Sequence, residues 1–309
     1  MLGVSVVICC HNSAARLGAT LEHLLCQTPS KVPWEVIVVD NGSSDDTAAV
    51  AWRTWANGGP ATLRVVHESK LGLAQARVRG FNEARHDIVS FVDDDNWVCP
   101  DWVRLVSEVM SAQPRAGACG GISEASFERT PPAWFAQFNR SYAVGELHSE
   151  AADVTWSKGY LWGAGLNIRK QAWQRLQAGG FTPLLSDRLG SNLNSGGDTE
   201  LCRALRLAGW QLYYEPRLQL KHFMPAGRLN WDYLCRLRRA FGASSVALDA
   251  YDLVVRANDS LAKRLIRECW SFQVVCTLRQ LLTCGASAWS ARQRKLEGDA
   301  VALDRKSVV

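Results

Sequence analysis

In Phe91-Val92-Asp93-Asp94-Asp95, an apolar strand runs directly into three consecutive carboxylates. Carboxylates this close repel one another and raise each other's pKa unless a cation offsets their charge. Hard oxygen ligands suit Mg²⁺ or Mn²⁺, which keep open coordination positions for phosphate oxygens. The alternative is that two of the three only cap the helix that begins near Pro100. The triplet alone supports the metal site and the helix cap equally.

Buried strands and helices alternate through the first hundred residues. Apolar, β-branched runs predict strands over residues 4–10, 35–39, 63–66 and 87–92. Leucines at helical spacing after the first run predict a helix, and residues 74–84 predict another. This alternation is typical of a doubly wound, mostly parallel α/β sheet.

The second half of the chain is less regular. Residues 116–122 predict a strand, and residues 123–153, rich in Pro, aromatic and polar side chains, predict a long loop. A helix is predicted from Leu201 to a stop at Gly209, and an alternating strand with a break at Pro216 follows it.

The composition limits the class of protein. The 309 residues are 47% hydrophobic and 21% charged, which is typical of a globular protein with a core. The ten cysteines show no paired metal-ligand spacing, which predicts reduced thiols of a cytosolic protein rather than a disulfide framework. The N-terminus lacks the pattern of a signal peptide, and polar residues interrupt the longest apolar tract, so that it makes a poor membrane span.

Positive charge is concentrated in the last quarter of the chain, between apolar residues at helical positions. We predict a basic amphipathic helical C-terminal extension over residues 226–309, after a first domain over residues 1–225. Such helices can lie on an anionic membrane surface, although packing against the first domain is the favoured interpretation. We therefore expect a cytoplasmic protein, with peripheral contact at the inner face of the membrane as the alternative. No recognised nucleic-acid-binding module accompanies the charge, so no nucleic acid partner is expected.

Three of the predicted strands end in polar residues: Cys10-His11-Asn12, Asp40-Asn41-Gly42 and the aspartate triplet. In open α/β sheets, ligands bind outside the carboxyl ends of the strands. Gly72 and Arg77 lie between the ends of the second and fourth strands, and Arg77 can offer its guanidinium fork to a phosphate. Taken singly, Asp40 is better explained as a helix cap or loop residue, and Arg77 can equally be a solvated helix arginine. The convergence of three polar strand ends at one sheet edge nevertheless favours a ligand site. Neither a Gly-Lys-Ser/Thr loop nor a Gly-x-Gly-x-x-Gly after the first strand is present, which argues against P-loop and classical dinucleotide-binding proteins.

These motifs, in this order, resemble those of the family 2 glycosyltransferases. The resemblance rests on residues 6–12, 36–47, 72–77 and 91–95, and continues through residues 159–165 and 196–200 to His222. It implies a GT-A fold and metal-dependent, inverting transfer of a sugar from a nucleotide-diphosphate donor, most commonly a UDP-sugar. It further implies Mn²⁺ or Mg²⁺ as the cofactor and a carbohydrate or lipid-linked glycan as the acceptor, in polysaccharide or glycoconjugate assembly.

The resemblance implies a role for each matched residue. Asp93 and Asp95 match the ends of the family's Asp-x-Asp, which binds the metal, and His222 falls where some members add a metal or diphosphate contact. A buried strand-end histidine is the alternative for His222. Asp198 matches the catalytic base, although Gly197 stands where many members have Glu. Compensation by Glu200 or by the loop over 123–153, or a match displaced by one residue, are the alternatives for this missing acid.

Two further groups of residues follow from the same resemblance and from neighbouring sequence. The predicted donor nucleotide site consists of Cys10, His11, Asn12, Asp40, Gly72, Arg77 and Asp94. The predicted acceptor or sugar pocket consists of Trp162, Gly163, Ala164, Gly165 and Glu200, since sugars stack on aromatic rings and glycines allow close approach. A tryptophan is, however, more often a core residue.

One carboxylate is enough for inverting transfer, because the metal rather than an acid stabilises the leaving nucleotide diphosphate. Asp198 is expected at a helix N-terminus, where the alternative role is a simple cap. Two other functions remain open. A sugar nucleotidyltransferase usually has a Gly-rich, Arg-containing loop where this chain has His11-Asn12-Ser13. A non-catalytic sugar-nucleotide-binding protein on a degenerate transferase fold would explain the missing acid at Gly197.

Overall fold

The structure is a computed structural model that describes residues 1–56, 58–188 and 193–255. The strands within these residues are β1 Val4–Cys10, β2 Trp34–Asp40, β3 Thr62–His67, β4 Ile88–Phe91, β5 Asn96–Val98, β6 Ala116–Phe127, β7 Ala152–Asp153, β8 Leu166–Arg169 and β9 Gln211–Met224. The α-helices are α1 Leu17–Leu25, α2 Thr47–Trp55, α3 Leu73–Glu83, α4 Trp102–Ala112, α5 Phe135–Phe138, α6 Lys170–Ala178, α7 Gly197–Leu207 and α8 Trp231–Val255. Short 3₁₀ turns lie at Asn139–Tyr142 and Ala226–Arg228.

The described strands form a sheet in the order β3-β2-β1-β4-β8-β6-β9-β5, and β7 pairs with β9 outside this path. The pairs among β1 to β4 are all parallel, and β6 also pairs in parallel with β9. The strands β5, β7 and β8 pair antiparallel with their neighbours. The predicted α/β class is confirmed, with the parallel pairs concentrated in the first half of the chain.

The pairing of β1 determines where the polar strand ends meet. In the register, Cys10 lies opposite Asp40 of β2, and Val7 lies opposite Phe91 of β4. Because these three strands run in the same direction, their carboxyl ends open at one edge of the sheet. The polar residues that follow them are therefore neighbours in space.

The core has two layers, one on each face of the sheet. Along β1, Val6 and Ile8 pack with residues of α1, α2 and α4, whereas Val7 packs with residues of α3, α6 and α7. Strand side chains alternate between faces, so a strand buried on both faces reads as a continuous apolar run. The fully buried Trp102 at the start of α4 donates its Nε1–H to Ser90 Oγ at 3.0 Å.

The strand β6 is longer than the sequence predicts. It continues to Phe127 because residues 122–127 pair with residues 219–224 of β9. The prediction of a loop over 123–153 is therefore wrong for its first five residues, and the rest of that segment contains α5, a 3₁₀ turn and β7. Hydrophobic periodicity missed this end of β6 because its pairing partner lies almost a hundred residues away.

The predicted break at Pro216 is confirmed as an irregularity in the pairing of β6 with β9. Gly120 pairs with Tyr214, but the next pair joins Ile122 to Gln219. Proline has no N–H to donate to a neighbouring strand, which explains why the ladder shifts here.

Helix α8 packs against α7 near its C-terminal end. Arg203 Nη2 pairs with Asp252 Oδ2 at 2.9 Å, and the Tyr251 hydroxyl donates to Glu200 Oε1 at 2.8 Å. This helix is the described part of the predicted C-terminal extension, and residues 256–309 lie outside the described residues. Across the described ranges, no helix is both long enough and apolar enough to span a bilayer.

Gly80→Ala is expected to destabilise the protein. A Cβ at this position of α3 would approach Val7 Cγ1 of β1 to 2.5 Å, and Val7 is fully buried. We expect the free energy of unfolding to fall by about 1–3 kcal/mol, as for other overpacked cores.

Gly242→Ala is the matched control, because an added Cβ at this position of α8 meets no described atom within 4 Å. Replacing this helical glycine should raise the free energy of unfolding by up to about 1 kcal/mol. Urea denaturation measures both variants, and equal effects would contradict the close packing of α3 on β1.

Candidate active site

A cavity of about 640 Å³ opens at the carboxyl ends of β1, β2 and β4. Its volume is typical of small-molecule sites. Most predicted site residues line it: Cys10, His11, Gly72, Arg77, Asp93, Asp94, Asp95, Trp162, Gly163, Ala164, Asp198 and His222. Its wall also contains charged residues that sequence reasoning missed, namely Arg16, Arg140, Asp187, Arg188 and Arg228.

The three aspartates between β4 and β5 have different partners. Asp94 Oδ2 accepts from Arg16 Nη2 at 2.6 Å, and Asp95 Oδ2 pairs with Arg228 Nη2 at 2.9 Å. Among the described residues, the carboxylate of Asp93 has no hydrogen bond or ion pair. Direct ion pairs therefore compensate two of the three negative charges, whereas Asp93 faces the cavity and is influenced by Arg77 and His222 only at longer range.

These partners give Asp93 and Asp95 opposite pKa shifts. Burial and the neighbouring charge of Asp95 raise the pKa of Asp93 to about 6. Burial also disfavours the charge of Asp95, but His222 and Arg228 outweigh it and hold the pKa of Asp95 well below its usual range. Asp95 is thus a stable anion, whereas Asp93 gains from any cation that enters the cavity.

His222 lies beside the triplet because β5 pairs with β9. In that pairing His222 lies opposite Asn96, and its Nε2 is 3.5 Å from Asp95 Oδ1 and 3.3 Å from Arg228 Nη1. Its Nδ1 is buried and has no hydrogen-bond partner among the described residues. The ring therefore lies in the cavity wall, and its contribution to metal or diphosphate binding stays a prediction.

The described residues contain no group of three or more His, Cys, Asp or Glu side chains arranged to hold a metal ion. The predicted ligands Asp93, Asp95 and His222 therefore do not form a complete three-ligand site. The donor set nevertheless fits Mg²⁺, which proteins commonly bind through one or two carboxylates together with substrate phosphates. The uncompensated carboxylate of Asp93, with Asp95 two residues away, meets that description.

Asp198 lies in the first turn of α7 and faces the cavity. Its Oδ2 accepts from the Gly163 amide at 2.7 Å, and its Oδ1 accepts from the Thr199 amide at 2.8 Å. Burial and the charge of Asp187 raise the pKa of Asp198, and Arg77 opposes this shift. The predicted base is therefore held against the predicted sugar pocket and binds a proton more readily than an exposed aspartate does.

Arg77, on α3, is engaged by a residue that sequence reasoning missed. Its Nη1 pairs with Asp187 Oδ2 at 2.6 Å, and both side chains are largely buried. Asp187 Oδ1 also accepts from the Gly197 amide at 2.7 Å. Asp187 belongs to a segment with no periodic pattern or motif, so nothing in the sequence marks it.

Asn41 connects the strand ends on the other side of the cavity. Its Oδ1 accepts from the Gly72 amide at 2.8 Å, and its Nδ2 donates to the carbonyl of Lys70 at 2.7 Å. His11 Nδ1 lies 2.8 Å from the Asn41 carbonyl oxygen. The loop that leads into α3 is thereby fixed to the end of β2, next to His11.

Two predicted nucleotide-binding residues, Asp40 and Asn12, are not among the residues that line the cavity. Asp40 Oδ1 accepts from the Ser43 amide at 3.1 Å, and Asn12 Oδ1 accepts from the Ser44 amide at 2.8 Å. Both side chains therefore hold the loop after β2, and their contact with the donor nucleotide remains a prediction.

Gly165 and Glu200, predicted for the sugar pocket, also lie outside the cavity wall. Gly165 has φ of +71°, and a Cβ there would lie 2.7 Å from the ring of Trp102, so close packing requires glycine. Glu200 is fully buried and accepts from the amides of Leu184 and Leu185. Glu200 therefore connects α7 to α8, through the hydroxyl of Tyr251, and to the segment before Asp187.

The comparisons with known proteins agree with the geometry. Residues 5–172, just over half of the chain, match the family model described as glycosyl transferase family 2. The uncharacterized glycosyltransferase EpsJ of Bacillus subtilis (strain 168) is 32% identical over 132 residues, which cover 42% of this chain and 37% of that protein. Glucosyl-dolichyl phosphate glucuronosyltransferase of Haloferax volcanii is 22% identical over 236 residues, which cover 75% of this chain and 72% of that protein.

Solved structures share the fold at low sequence identity. GalNAc-T7 with UDP, GalNAc and Mn²⁺ superposes with a TM-score of 0.55 at 17% identity, covering 72% of this chain and 44% of that one. Staphylococcus aureus TarS 1–349 with UDP-GlcNAc superposes with a TM-score of 0.53 at 16% identity, covering 72% and 58%. The chain spans little more than a third of the length of the first curated relatives that it matches.

Asp93 and Asp95 are expected to affect stability with opposite sign. Because the pKa of Asp93 is raised in the folded state, its negative charge is destabilising above about pH 6 and has no effect once it is protonated in both states. Asp93→Asn should raise the free energy of unfolding at pH 7.5, in chelator, by on the order of 1 kcal/mol, and this gain should disappear as the pH falls toward 4.

Asp95→Asn is the paired variant. It should lower the free energy of unfolding at pH 7.5 by about 3 kcal/mol, because Arg228 is left without its buried partner. The stabilisation by Asp95 is present at neutral pH and is lost on acidification, since its folded-state pKa is depressed. Urea denaturation at both pH values measures the pair, and a loss of stability in Asp93→Asn at pH 7.5 would contradict an uncompensated carboxylate.

Proposed function

Because the chain belongs to glycosyl transferase family 2, we propose that it transfers a sugar, with inversion, from a nucleotide-diphosphate donor to an acceptor hydroxyl. The observation that supports this most is that one cavity contains both an uncompensated carboxylate, Asp93, and a second carboxylate with a raised pKa, Asp198. The first suits a cation with a diphosphate, and the second suits a general base. Different chemistry is thus available at two places of the same cavity.

A UDP-sugar is the proposed donor. The neighbour TarS was solved with UDP-GlcNAc and GalNAc-T7 with UDP, which supports a uridine nucleotide. We assign the nucleoside to the part of the cavity near His11, Asn41 and Gly72, which lies at the ends of β1 and β2. We assign the diphosphate to the part near the aspartate triplet, where Arg16 and Arg228 add positive charge.

Asp198 is the proposed base. The acceptor oxygen attacks the anomeric carbon, its proton passes to Asp198, and the bond from the anomeric carbon to the diphosphate oxygen breaks. Two backbone amides fix the carboxylate, and its oxygens keep free lone pairs for the acceptor hydroxyl. A raised pKa brings a carboxylate nearer to the pH at which it must accept a proton, which favours general base catalysis.

The leaving group needs charge stabilisation rather than a proton. When bound, Mg²⁺ or Mn²⁺ would neutralise charge that develops on the diphosphate, and Asp93 and Asp95 are the residues that would hold it. His222 and Arg228 hold the pKa of Asp95 well below its usual range, so Asp95 stays ionised at neutral pH. Burial and the charge of Asp95 raise the pKa of Asp94, and Arg16 opposes this shift.

The proposed acceptor is a carbohydrate or a lipid-linked glycan. Relatives named poly-beta-1,6-N-acetyl-D-glucosamine synthase and glucosyl-dolichyl phosphate glucuronosyltransferase support this class. Trp162 and Ala164 both line the cavity, and Trp162 is the proposed stacking surface for a sugar. Peripheral contact with an anionic membrane remains a proposal that rests mainly on residues 256–309, outside the described part.

UDP is expected to stabilise the protein in a metal-dependent way. A ligand that binds only the folded state raises its stability by mass action, by about 2.7 kcal/mol at a hundredfold excess over Kd. We expect the thermal midpoint to rise by several degrees with UDP and Mn²⁺ together, and by less with either alone. Differential scanning fluorimetry with UDP, GDP, dTDP and CMP identifies the nucleobase that the site prefers.

The double variant Asp93→Asn/Asp95→Asn is the control and should abolish the effect of Mn²⁺ on the UDP shift. Asp101→Asn, at a half-buried position before α4, should leave it unchanged. If none of the four nucleotides shifts the midpoint of the native protein, the proposed donor site is refuted.

Asp198→Asn is expected to bind UDP like the native protein but to lower turnover by at least about 10²-fold, since a general base contributes about 10²–10⁴-fold. UDP release from a panel of UDP-sugars, to water or to simple aryl glycosides, measures turnover. Retained turnover would exclude Asp198 as the base. If the native protein binds UDP but has no turnover with any of these probes, the non-catalytic binding protein becomes the better assignment.

A further inference from the structure

The acid that many family 2 members place before the catalytic aspartate is absent here, because residue 197 is glycine. The structure shows another acid in that space. An ideal Cβ built on Gly197 would lie 2.1 Å from Asp187 Oδ2 and 2.5 Å from Asp187 Cγ. The carboxylate of Asp187 therefore occupies the volume into which a side chain at residue 197 would project.

The carboxylate of Asp187 has a well-defined position. Its side chain is only 6% exposed, Oδ1 accepts from the Gly197 amide at 2.7 Å, and Oδ2 accepts from Arg77 Nη1 at 2.6 Å. The backbone of Asp187 has φ of +53°, in the left-handed region that a non-glycine residue adopts only when its surroundings hold it there. Several independent contacts thus fix this one carboxylate beside the base.

We infer that Asp187 takes the place, in space, of the missing acid, and that it is the residue that positions Asp198. This inference rests on the proposed function. Asp187 acts in two ways: it holds the first turn of α7 through the Gly197 amide, and it holds the Arg77 guanidinium away from Asp198.

Arg77 is the reason that such a residue is needed. Arg77 Nη2 and Asp198 Oδ2 both lie 3.2 Å from the point where a Cβ on Gly163 would be, so the guanidinium and the base are neighbours. A further ionisable group that interacts with the base is the buried thiol of Cys202, one turn along α7. After Asp187, the charges that act most strongly on Arg77 are those of Asp93 and then Asp198, so these are the anions left to it when Asp187 is removed. An ion pair with Arg77 would occupy the base and weaken it.

The first test is Asp187→Asn, because asparagine tolerates a positive φ and changes mainly the charge. We expect kcat for UDP release to fall at least tenfold. We also expect the acid limb of the pH profile of kcat/KM to move to lower pH, because loss of the Asp187 anion and pairing with Arg77 both lower the pKa of Asp198. A purely structural role would lower the thermal midpoint without moving this limb.

The second test exchanges the two positions. Gly197→Glu alone should impair folding and turnover, since its Cβ would collide with Asp187. Asp187→Gly alone removes the acid but suits the positive φ, and it should lower turnover. The double variant Asp187→Gly/Gly197→Glu restores an acid to the emptied space and should be at least several-fold more active than either single variant. Asp101→Asn is the matched control for loss of a carboxylate.

The outcomes separate this inference from the proposed function. If Asp198→Asn abolishes turnover but Asp187→Asn leaves both kcat and the acid limb unchanged, the inference is overturned and the proposed function stands. If Asp198→Asn retains native turnover, the proposed function itself fails. Should Asp187→Asn not fold, a double variant no more active than Asp187→Gly would overturn the inference.

Discussion

Electrostatic repulsion within the aspartate triplet is the constraint on which the architecture of the cavity depends. Three adjacent carboxylates can be buried together only if cations from elsewhere approach them. Arg16 comes from the start of α1, and Arg228 comes from the turn after β9, more than two hundred residues later in the chain. Both can reach the triplet because the parallel pairing of β1 with β4, and the pairing of β5 with β9, bring their elements to one sheet edge. The sheet order and the charge balance of the site therefore depend on each other.

The compensation is incomplete in a way that suits a ligand. Asp94 and Asp95 each have an arginine, while Asp93 has no partner among the described residues and a pKa raised to about 6. A fully compensated triplet would gain little from another cation, and a fully uncompensated one would be costly to fold. Leaving one carboxylate unpaired stores a modest electrostatic cost at the site, and a bound cation would remove it. Stability and binding thus oppose each other at Asp93.

Local pattern and tertiary pairing explain which features could be predicted from the sequence. The bounds of β1 and the edge at which the polar strand ends meet followed from apolar runs and from the rule for open α/β sheets. The end of β6 at Phe127 could not be predicted from local pattern, because its pairing with β9 is a long-range contact. Arg228 and Asp187 were missed for the same reason, because each acts on a residue that is distant in the sequence. Glu200 was assigned to the pocket from its position beside Asp198, but helical geometry turns it into the interior.

Asp187 and Gly197 illustrate how an acid from another part of the chain can fill the space that the side chain of a motif residue would occupy. The proposed base Asp198 would require an anion that engages the nearby guanidinium. The first free amide of α7 requires an acceptor, since the N-terminal amides of a helix have no partners within it. An acid at residue 197 and an acid at residue 187 both reach that volume, but they cannot fill it together, because a side chain at 197 would collide with Asp187. Glycine at residue 197 therefore leaves the space that the carboxylate of Asp187 occupies. Under the proposed function, the missing acid in the motif is then an exchanged position rather than a lost activity.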